Sequence, residues 1–253
     1  MADDIAFKVS NLRITVEEDR TIVFEGDDLD ENKHDLAASL VVKILTVRSY
    51  NFKALKRTLN QIWAISKGAI FRKIENDLFV VHFACKRDRD KVLVGRPWTF
   101  DQSLVMLQEI DEDIQPSNIA MKSCPFRVHL YNLPMRNRSE NHIRMIGGCI
   151  TEVLNLDFDG IMWDKSAHLK ILVDVTQSLR RAQCITMKNG TTTLVEIKYE
   201  RLPTFYFTCG VIGHIERDCL KSTDDGREEE KQWGAWLRAS PRKRRQRLEE
   251  ETK

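Results

Sequence analysis

The sequence lacks the features of a membrane protein or a secreted protein. No apolar run in its 253 residues approaches the roughly 20 residues that a membrane-spanning helix needs. Its first residues are acidic, whereas the start of a secretory leader is basic. We therefore expect no membrane association, and we expect a reducing compartment in which the six cysteines remain free thiols.

The sequence also lacks the motifs of the common enzyme classes. It has no glycine-rich phosphate loop, no pairing of a serine or cysteine nucleophile with histidine, and no carboxylate pair of the metal-nuclease type that stands out. The acidic triplet at 111–113 is expected to lie in a turn, and Asp157 and Asp159 are expected to lie in a loop. We therefore expect a protein without enzymatic activity.

Charge is distributed unevenly along the chain, although the net charge is only +2. Residues 1–35 carry 4 Lys or Arg and 11 Asp or Glu, whereas residues 36–220 carry 26 and 19. Residues 221–253 carry 10 and 8. A basic body between an acidic arm and a mixed-charge tail fits a polyanionic partner, but an ordinary solvated surface could carry the same excess.

Residues 203–220 have the spacing of a zinc knuckle in which one ligand is missing. Cys209, His214 and Cys219 follow the pattern Cys-x4-His-x4-Cys, and a complete knuckle has another cysteine three positions before the first of them. That position is Tyr206. Structural zinc takes four tetrahedral ligands, and the metal supplies folding free energy that so short a segment cannot gain by burying apolar surface. We predict the three remaining residues as Zn²⁺ ligands.

The missing ligand leaves zinc binding an open question. A phenol has a pKa of about 10 and is a poor zinc ligand at neutral pH. Three ligands plus water is the arrangement of catalytic zinc sites, for which this short loop offers no general base. Cys184 could lend a thiolate from elsewhere in the fold, but nothing in the sequence places it there. Gly210 and Gly213 suit the tight backbone that a shared ion requires.

Residues 36–115 are predicted to form a ferredoxin-like α+β module. Hydrophobic residues recur at helical spacing from Phe52 to Trp63, after a strongly apolar strand. The turn signal Glu75-Asn76-Asp77 joins two further strands, and glycine and proline end a second helix. The predicted order is β-α-β-β-α-β, over residues 39–46, 52–63, 69–74, 78–84, 86–94 and 103–110.

RNA-recognition modules expose aromatic residues on the third strand of this fold, where bases stack on them. The third predicted strand therefore indicates whether this module could bind RNA in that way. The strand contains Phe79, His82 and Phe83. Strand alternation puts Phe79 and Phe83 on one face and His82 on the other. Because the run is almost wholly apolar and no Lys/Arg-Gly-Phe signature precedes it, we favour burial of both faces over base stacking.

Residues 116–202 are predicted to form a second, smaller α+β module. Gly147 and Gly148 are expected to weaken its helix, whereas Asn189-Gly190 is a strong signal for the turn of a hairpin. Its predicted elements are a strand, a helix, a strand and a hairpin, over residues 126–131, 140–153, 169–175 and 184–199.

The two ends of the chain, 1–35 and 221–253, are predicted to be flexible tails. Trp233 and Trp236 are spaced i, i+3 and would share one helix face, which could dock on a partner or, as we favour, on the body. The basic run Arg242–Arg247 is of the nuclear-import or nucleic-acid-binding type. We expect a nuclear or cytoplasmic protein, and this run slightly favours the nucleus.

Most of the chain, 36–240, resembles plant proteins with a DUF4283 domain. The most specific match is Gly95-Arg-Pro-Trp-Thr-Phe-Asp101, and the stretch from Pro125 to Pro134 is similar to a second block of the family. Trp233-Gly-Ala-Trp-Leu-Arg238 is similar to the segment that follows knuckles there. The architecture resembles the gag-like first open reading frame of non-LTR retroelements. The resemblance implies nucleic-acid binding and zinc binding, with the three knuckle residues as ligands.

We therefore expect a non-enzymatic protein that binds RNA or single-stranded DNA. Phe207 and Ile212 would form an apolar platform for an unstacked base. Arg201, Arg217 and Lys221 surround this platform and would either contact phosphates or simply keep the surface soluble. The alternative is a protein-interaction or self-association module in which a decayed knuckle no longer binds zinc.

Overall fold

The computed structural model describes residues 15–22, 36–111, 114–156, 165–215, 217, 219 and 231–239. Contacts divide the chain into residues 1–34 and 35–253, and all elements named below belong to the second unit. In the first unit, residues 15–20 form a turn, and most of the predicted tail 1–35 lies outside the described residues. No helix within these ranges is long and apolar enough to cross a membrane.

The first half of the fold contains five strands and two helices: β1 (Ser39–Leu45), α1 (Phe52–Trp63), β2 (Ala69–Lys73), β3 (Leu78–Phe83), α2 (Lys86–Val94), β4 (Trp98–Phe100) and β5 (Ser103–Glu109). The strands form one antiparallel sheet in the order β2-β3-β1-β5-β4. The predicted order of strands and helices is confirmed. The structure adds β4, a three-residue edge strand that pairs with β5.

Helices α1 and α2 cover one face of this sheet. Helix α1 begins after Asn51, whose side chain accepts hydrogen bonds from two amides of the first turn. Trp63 at the other end of α1 is 1% exposed, and its ring contacts those of Phe71 and Phe83. The core between helices and sheet consists of apolar side chains closed to solvent: Leu40, Val42, Ile44, Leu55, Leu59, Trp63, Phe79, Val81, Phe83, Val92, Val105 and Leu107.

The aromatic residues of β3 fill this core instead of facing solvent. Phe79 and Phe83 are fully buried, and both belong to the core that α1 and α2 cover. His82 is half-buried on the opposite face, where its Nδ1 lies 3.0 Å from the Ser39 hydroxyl. The burial that the apolar run favoured is confirmed for both phenylalanines, so they form no platform for bases.

The second half of the fold contains six strands and one helix: β6 (Ser123–Tyr131), α3 (Glu140–Ile150), β7 (Val153–Leu156), β8 (Ala167–Asp174), β9 (Ala182–Thr186), β10 (Thr192–Glu200) and β11 (Arg238–Ala239). The strands form one sheet in the order β11-β10-β6-β8-β7, and β9 pairs with β10. The α+β class is confirmed, and the predicted strand, helix, strand and hairpin are present. The short strands β7 and β11 were not predicted.

Helix α3 continues through its two glycines to Ile150. A β-carbon on Gly147 would lie 2.5 Å from Leu169 Cδ1 and 2.6 Å from Val153 Cγ2. The glycine therefore allows the helix to approach the sheet closely, and this packing outweighs its low helix propensity. The expected weakening does not end the helix at this point.

The two faces of the second sheet differ in polarity. One face packs with residues of β5 into a second apolar core, which includes Phe126, Val128, Leu130, Leu169, Ile171, Val195, Ile197 and Tyr199. On the other face, charged and polar side chains lie opposite one another across β6, β8 and β10. We call it the polar face, and it consists of Arg127, His129, Tyr131, His168, Lys170, Glu196, Lys198 and Glu200.

Residues 231–239 return to the second sheet. Leu237 is fully buried in the apolar core, and Trp233 packs against that core. Strand β11 pairs in parallel with β10. The predicted docking of the tail on the body is thus confirmed for Trp233. The predicted helix face is wrong, because only Ala235–Leu237 forms a 3-10 turn, and Trp236 remains 49% exposed.

Candidate metal centre

The three predicted zinc ligands meet at one place. Their sulfur and ring-nitrogen atoms all lie within 4.8 Å of one another, and Cys209 Sγ is 3.2 Å from His214 Nε2. Cys209 and Cys219 are buried, and His214 is half-buried. Two thiols and one imidazole therefore converge on a site that is largely shielded from water.

This arrangement fits three of the four positions around a zinc ion. With a Zn–S distance of about 2.3 Å and a Zn–N distance of about 2.0–2.1 Å, tetrahedral sulfur and nitrogen ligands lie about 3.5 Å apart. The observed separation of Cys209 Sγ and His214 Nε2 is 3.2 Å. When bound by such a donor set, Zn²⁺ acts as a structural cross-link and contributes directly to folding free energy.

Tight turns give the ligands their positions. The Gly210 amide donates to the Tyr206 carbonyl at 2.8 Å, and the Tyr206 amide donates to the Val211 carbonyl at 3.1 Å. Gly210 and Gly213 have φ angles of +72° and +93°, in the left-handed region that glycine adopts without steric cost. The backbone role predicted for these two glycines is confirmed.

The knuckle packs against both halves of the fold. A β-carbon on Gly213 would lie 2.5 Å from Leu45 Cγ at the end of β1. Phe205 and Ile212 form a β-bridge, and both are buried in the apolar core of the second sheet. Because tertiary packing holds these residues, the turn geometry does not depend on four metal ligands alone.

Trp233 covers the first turn of the knuckle. A β-carbon on Gly210 would lie 2.4 Å from its indole ring. The Trp233 Nε1–H donates to the Leu179 carbonyl at 2.8 Å, and its amide donates to the Phe207 carbonyl at 2.9 Å. The Arg181 guanidinium lies 4.7 Å from the centroid of the ring. We call Trp233, Leu179 and Arg181 the tryptophan clasp, because they hold the tail against the knuckle.

Tyr206 stands where a complete knuckle has its fourth ligand. Its ring is half-buried, with its centroid 6.0 Å from that of His214. Cys184 is exposed on β9 and is not part of the ligand cluster. Burial raises the pKa of Cys124 to about 12, so this thiol stays protonated near neutral pH. The described residues thus supply three ligands, and water would complete the tetrahedron.

The predicted nucleic-acid contacts have different environments. Arg201 and Arg217 are exposed, and Lys221 lies outside the described residues. Phe207 is half-buried against the core of the second sheet. Ile212 is 3% exposed and belongs to that core. The prediction of Ile212 in a base-stacking platform is therefore wrong, because its side chain anchors the knuckle to the sheet.

Two groups of residues that support the knuckle were not predicted. The Ser178 hydroxyl donates to the Cys209 carbonyl at 2.6 Å, and the Leu179 amide donates to the Gly210 carbonyl at 2.9 Å. The tryptophan clasp is the second group, because the sequence predicted that Trp233 docks on the body but not that it covers the knuckle. These contacts join distant parts of the chain, so no local pattern marks them. A tryptophan in an otherwise polar tail, downstream of a glycine turn, was the signal that could have indicated the clasp.

Two family models match parts of the chain. Residues 32–118 match a domain of unknown function, DUF4283, and residues 173–221 match a zinc knuckle. The sequence predicted both segments, which match a DUF4283 domain and a CCHC-type zinc knuckle. The knuckle match begins near the end of β8 and includes β9 and β10. No curated protein matches the chain in sequence.

Among solved structures, the first two RRM domains of the yeast poly(U)-binding protein Pub1 are similar to this chain. The sequence identity is 13%, the match covers 64% of this chain and 98% of that chain, and the TM-score is 0.23. A likeness this weak supports no inference about function.

Proposed function

We propose that this chain is a non-enzymatic protein that binds single-stranded nucleic acid, RNA or DNA, through its zinc knuckle and the basic surface around it. By its resemblance, it is of the plant retroelement gag-like type. It acts in the nucleus or the cytoplasm. The basic run Arg242–Arg247, outside the described residues, would favour the nucleus.

The observation that carries this proposal is the convergence of Cys209, His214 and Cys219 within 4.8 Å, in a segment that matches a zinc knuckle. Zinc held there would fix the loop between the ligands and the exposed residues beside it. A small loop held in this way presents its backbone and side chains at low entropic cost, which favours binding.

The charge of the chain supports a polyanionic partner. Residues 36–220 carry 26 Lys or Arg and 19 Asp or Glu. Arg201 precedes the knuckle and Arg217 lies within it, between His214 and Cys219, and both are exposed. Arg48 and Thr204 line a small cleft of about 60 Å³ beside His214. These cations and polar groups are suited to phosphate oxygens, which provide most of the affinity in non-specific nucleic-acid binding.

Removing one ligand tests the role of the knuckle. We expect the zinc-loaded chain to bind a labelled 12-nucleotide RNA of mixed sequence with a Kd in the micromolar range. His214→Ala or a chelator should weaken binding about tenfold, because a knuckle without metal loses the order that zinc supplies. Fluorescence anisotropy measures both effects. The matched control is His142→Ala, an exposed histidine on α3, which should bind like the wild type.

Three outcomes would contradict the proposal in different ways. Failure of the wild type to bind RNA or single-stranded DNA, together with self-association that salt does not weaken, would indicate an interaction module. Unchanged binding by His214→Ala and after chelation would show that the knuckle is not the route. Equal losses in His214→Ala and His142→Ala would indicate a non-specific effect of mutation.

A further inference from the structure

The polar face of the second sheet connects two concave regions of the surface. Glu196 and Lys198 line one of them, together with Trp236. Arg127 and Lys170 line the other. Since Lys198 pairs with His129 across β6 and β10, and Arg127 precedes His129 by two residues on the same face, the two regions lie at neighbouring positions of one sheet face.

The first region, which we call the tryptophan groove, combines exposed apolar surface with positive charge. It has a volume of about 870 Å³ and is lined by Arg180, Arg181, Leu194, Glu196, Lys198 and Trp236, among others. Trp236 is 49% exposed and Leu194 is 53% exposed. A half-exposed indole beside three cations and one carboxylate offers a stacking surface for a base and ion pairs for its phosphates.

The second region, which we call the basic notch, has a volume of about 220 Å³ and is lined by Arg96, Arg127, Lys170, Glu200 and Arg201, among others. Hydrogen bonds hold two of its cations in place. Lys170 Nζ donates to the Val94 carbonyl at 2.9 Å, and Arg201 Nη1 donates to the Gly95 carbonyl at 3.3 Å. These cations therefore lose less side-chain entropy when an anion binds.

The one carboxylate that lines the notch is already engaged. Glu200 Oε1 lies 2.6 Å from His129 Nε2, and Glu200 Oε2 lies 4.0 Å from Arg127 Nη1. Glu200 and His129 are both buried, whereas the side chain of Arg127 is 43% exposed. Four cationic side chains against one carboxylate leave the notch with an excess of positive charge.

We propose that a single strand of nucleic acid lies along the exposed edge of the polar face, from the tryptophan groove to the basic notch, with one base stacked on Trp236 and phosphates at Lys198 and Arg201. This proposal rests on the proposed function and names its contact surface. The occupant follows from charge complementarity and from the exposed indole, because stacking requires a base that is not already stacked in a duplex.

Three substitutions at Trp236 separate stacking from apolar packing. Trp236→Leu should weaken the binding of the 12-nucleotide RNA about tenfold, because base–aromatic stacking is lost. Trp236→Phe keeps an aromatic face and should stay within about threefold of the wild type. Trp236→Ala should match Trp236→Leu. Equal losses in the leucine and phenylalanine variants would contradict stacking.

Two charge variants test the phosphate contacts independently of the indole. Lys198→Gln and Arg201→Gln should each reduce the slope of log K against log salt by about 0.7, the value for one phosphate contact on a single strand. A structural role would not change this slope. Lys67→Gln is the matched control, because Lys67 is exposed in the loop between α1 and β2 and lines neither region.

The outcomes distinguish this proposal from the function on which it rests. If the wild type does not bind the RNA, the proposed function fails. If the wild type binds and His214→Ala is weakened, but the Trp236, Lys198 and Arg201 variants match the wild type in affinity and slope, the knuckle binds alone and the polar face is excluded. Circular dichroism and thermal unfolding of each variant exclude loss of fold.

Discussion

Replacing Tyr206 with cysteine is expected to raise the affinity of the chain for Zn²⁺ on the order of 100-fold. Structural zinc in knuckle-sized peptides is bound with roughly 10–16 kcal/mol for four ligands, so one more thiolate contributes about 3 kcal/mol. The backbone around Tyr206 already forms the knuckle turn, through hydrogen bonds with Gly210 and Val211. The new thiolate should therefore be introduced without refolding. Competition titration with a zinc indicator measures the change.

Two further variants show what completes the site in the wild type. Tyr206→Phe removes only the hydroxyl and should leave zinc affinity unchanged if water is the fourth ligand. Cys184→Ser should have no effect, since Cys184 is exposed on β9 outside the ligand cluster. Weaker zinc binding by Tyr206→Phe would instead identify the phenol as a ligand. Unchanged affinity in Tyr206→Cys would contradict a knuckle-type geometry.

Replacing Gly210 with alanine is expected to lower the free energy of unfolding by about 3 kcal/mol. About 1 kcal/mol arises from the left-handed backbone, and the rest from overpacking. Gly210 has a φ of +72°, and an added β-carbon would lie 2.4 Å from the Trp233 ring. Gly190→Ala is a matched control, because its φ is +79° but nothing lies within 4 Å of the added atom. It should cost only about 1 kcal/mol. Chemical denaturation measures both.

The double variant Gly210→Ala/Trp233→Ala tests whether the tryptophan clasp causes the difference in destabilisation between Gly210→Ala and Gly190→Ala. The three atoms nearest to an added β-carbon at position 210 all belong to the indole, so without it the cost of the alanine should fall toward that of Gly190→Ala. Trp233→Ala alone would still destabilise the chain, because it loses the hydrogen bond from the indole to the Leu179 carbonyl and the packing of the ring against the core of the second sheet. Additive effects of the two substitutions would contradict a direct contact between residue 210 and the indole.

The first half of the fold could be predicted in detail because its signals are local. Helix α1 has its apolar residues at helical spacing, and the predicted helix Lys86–Val94 matches α2 at both ends. The run Leu78–Phe83 has apolar residues on both faces, which indicated that Phe79 and Phe83 are buried. The spacing of the apolar residues and the residue types at the turns determine these elements, and the tertiary packing favours the same elements.

The elements that escaped prediction depend on distant partners. Strands β4 and β11 have three and two residues, which is too few for an alternation of apolar and polar residues to be recognised. They form because they pair with the edges of β5 and β10. Gly147 in α3 was taken as a weakness, whereas it provides room for Leu169 and Val153. The domain boundaries given from the sequence stay predictions.

The candidate site was predictable as far as its ligand spacing. The pattern of Cys209, His214 and Cys219 indicated a shared ion, and the three residues do converge. The surroundings were not predictable, because they come from the loop at 178–181 and from the tail. Ile212 is the clearest example. From the sequence alone, an apolar residue between metal ligands can either contact a base or pack into the core. The position of the neighbouring sheet determines that Ile212 packs into the core.

The salt dependence of nucleic-acid binding by the wild-type chain tests the central claim most directly. The affinity of the zinc-loaded protein for a 12-nucleotide single strand, and for the duplex of the same sequence, would be measured between 50 and 200 mM salt. With about three phosphate contacts, we expect the single-strand affinity to fall about 20-fold over this range and to exceed the duplex affinity throughout. Binding that does not depend on salt, or a preference for the duplex, would contradict the account.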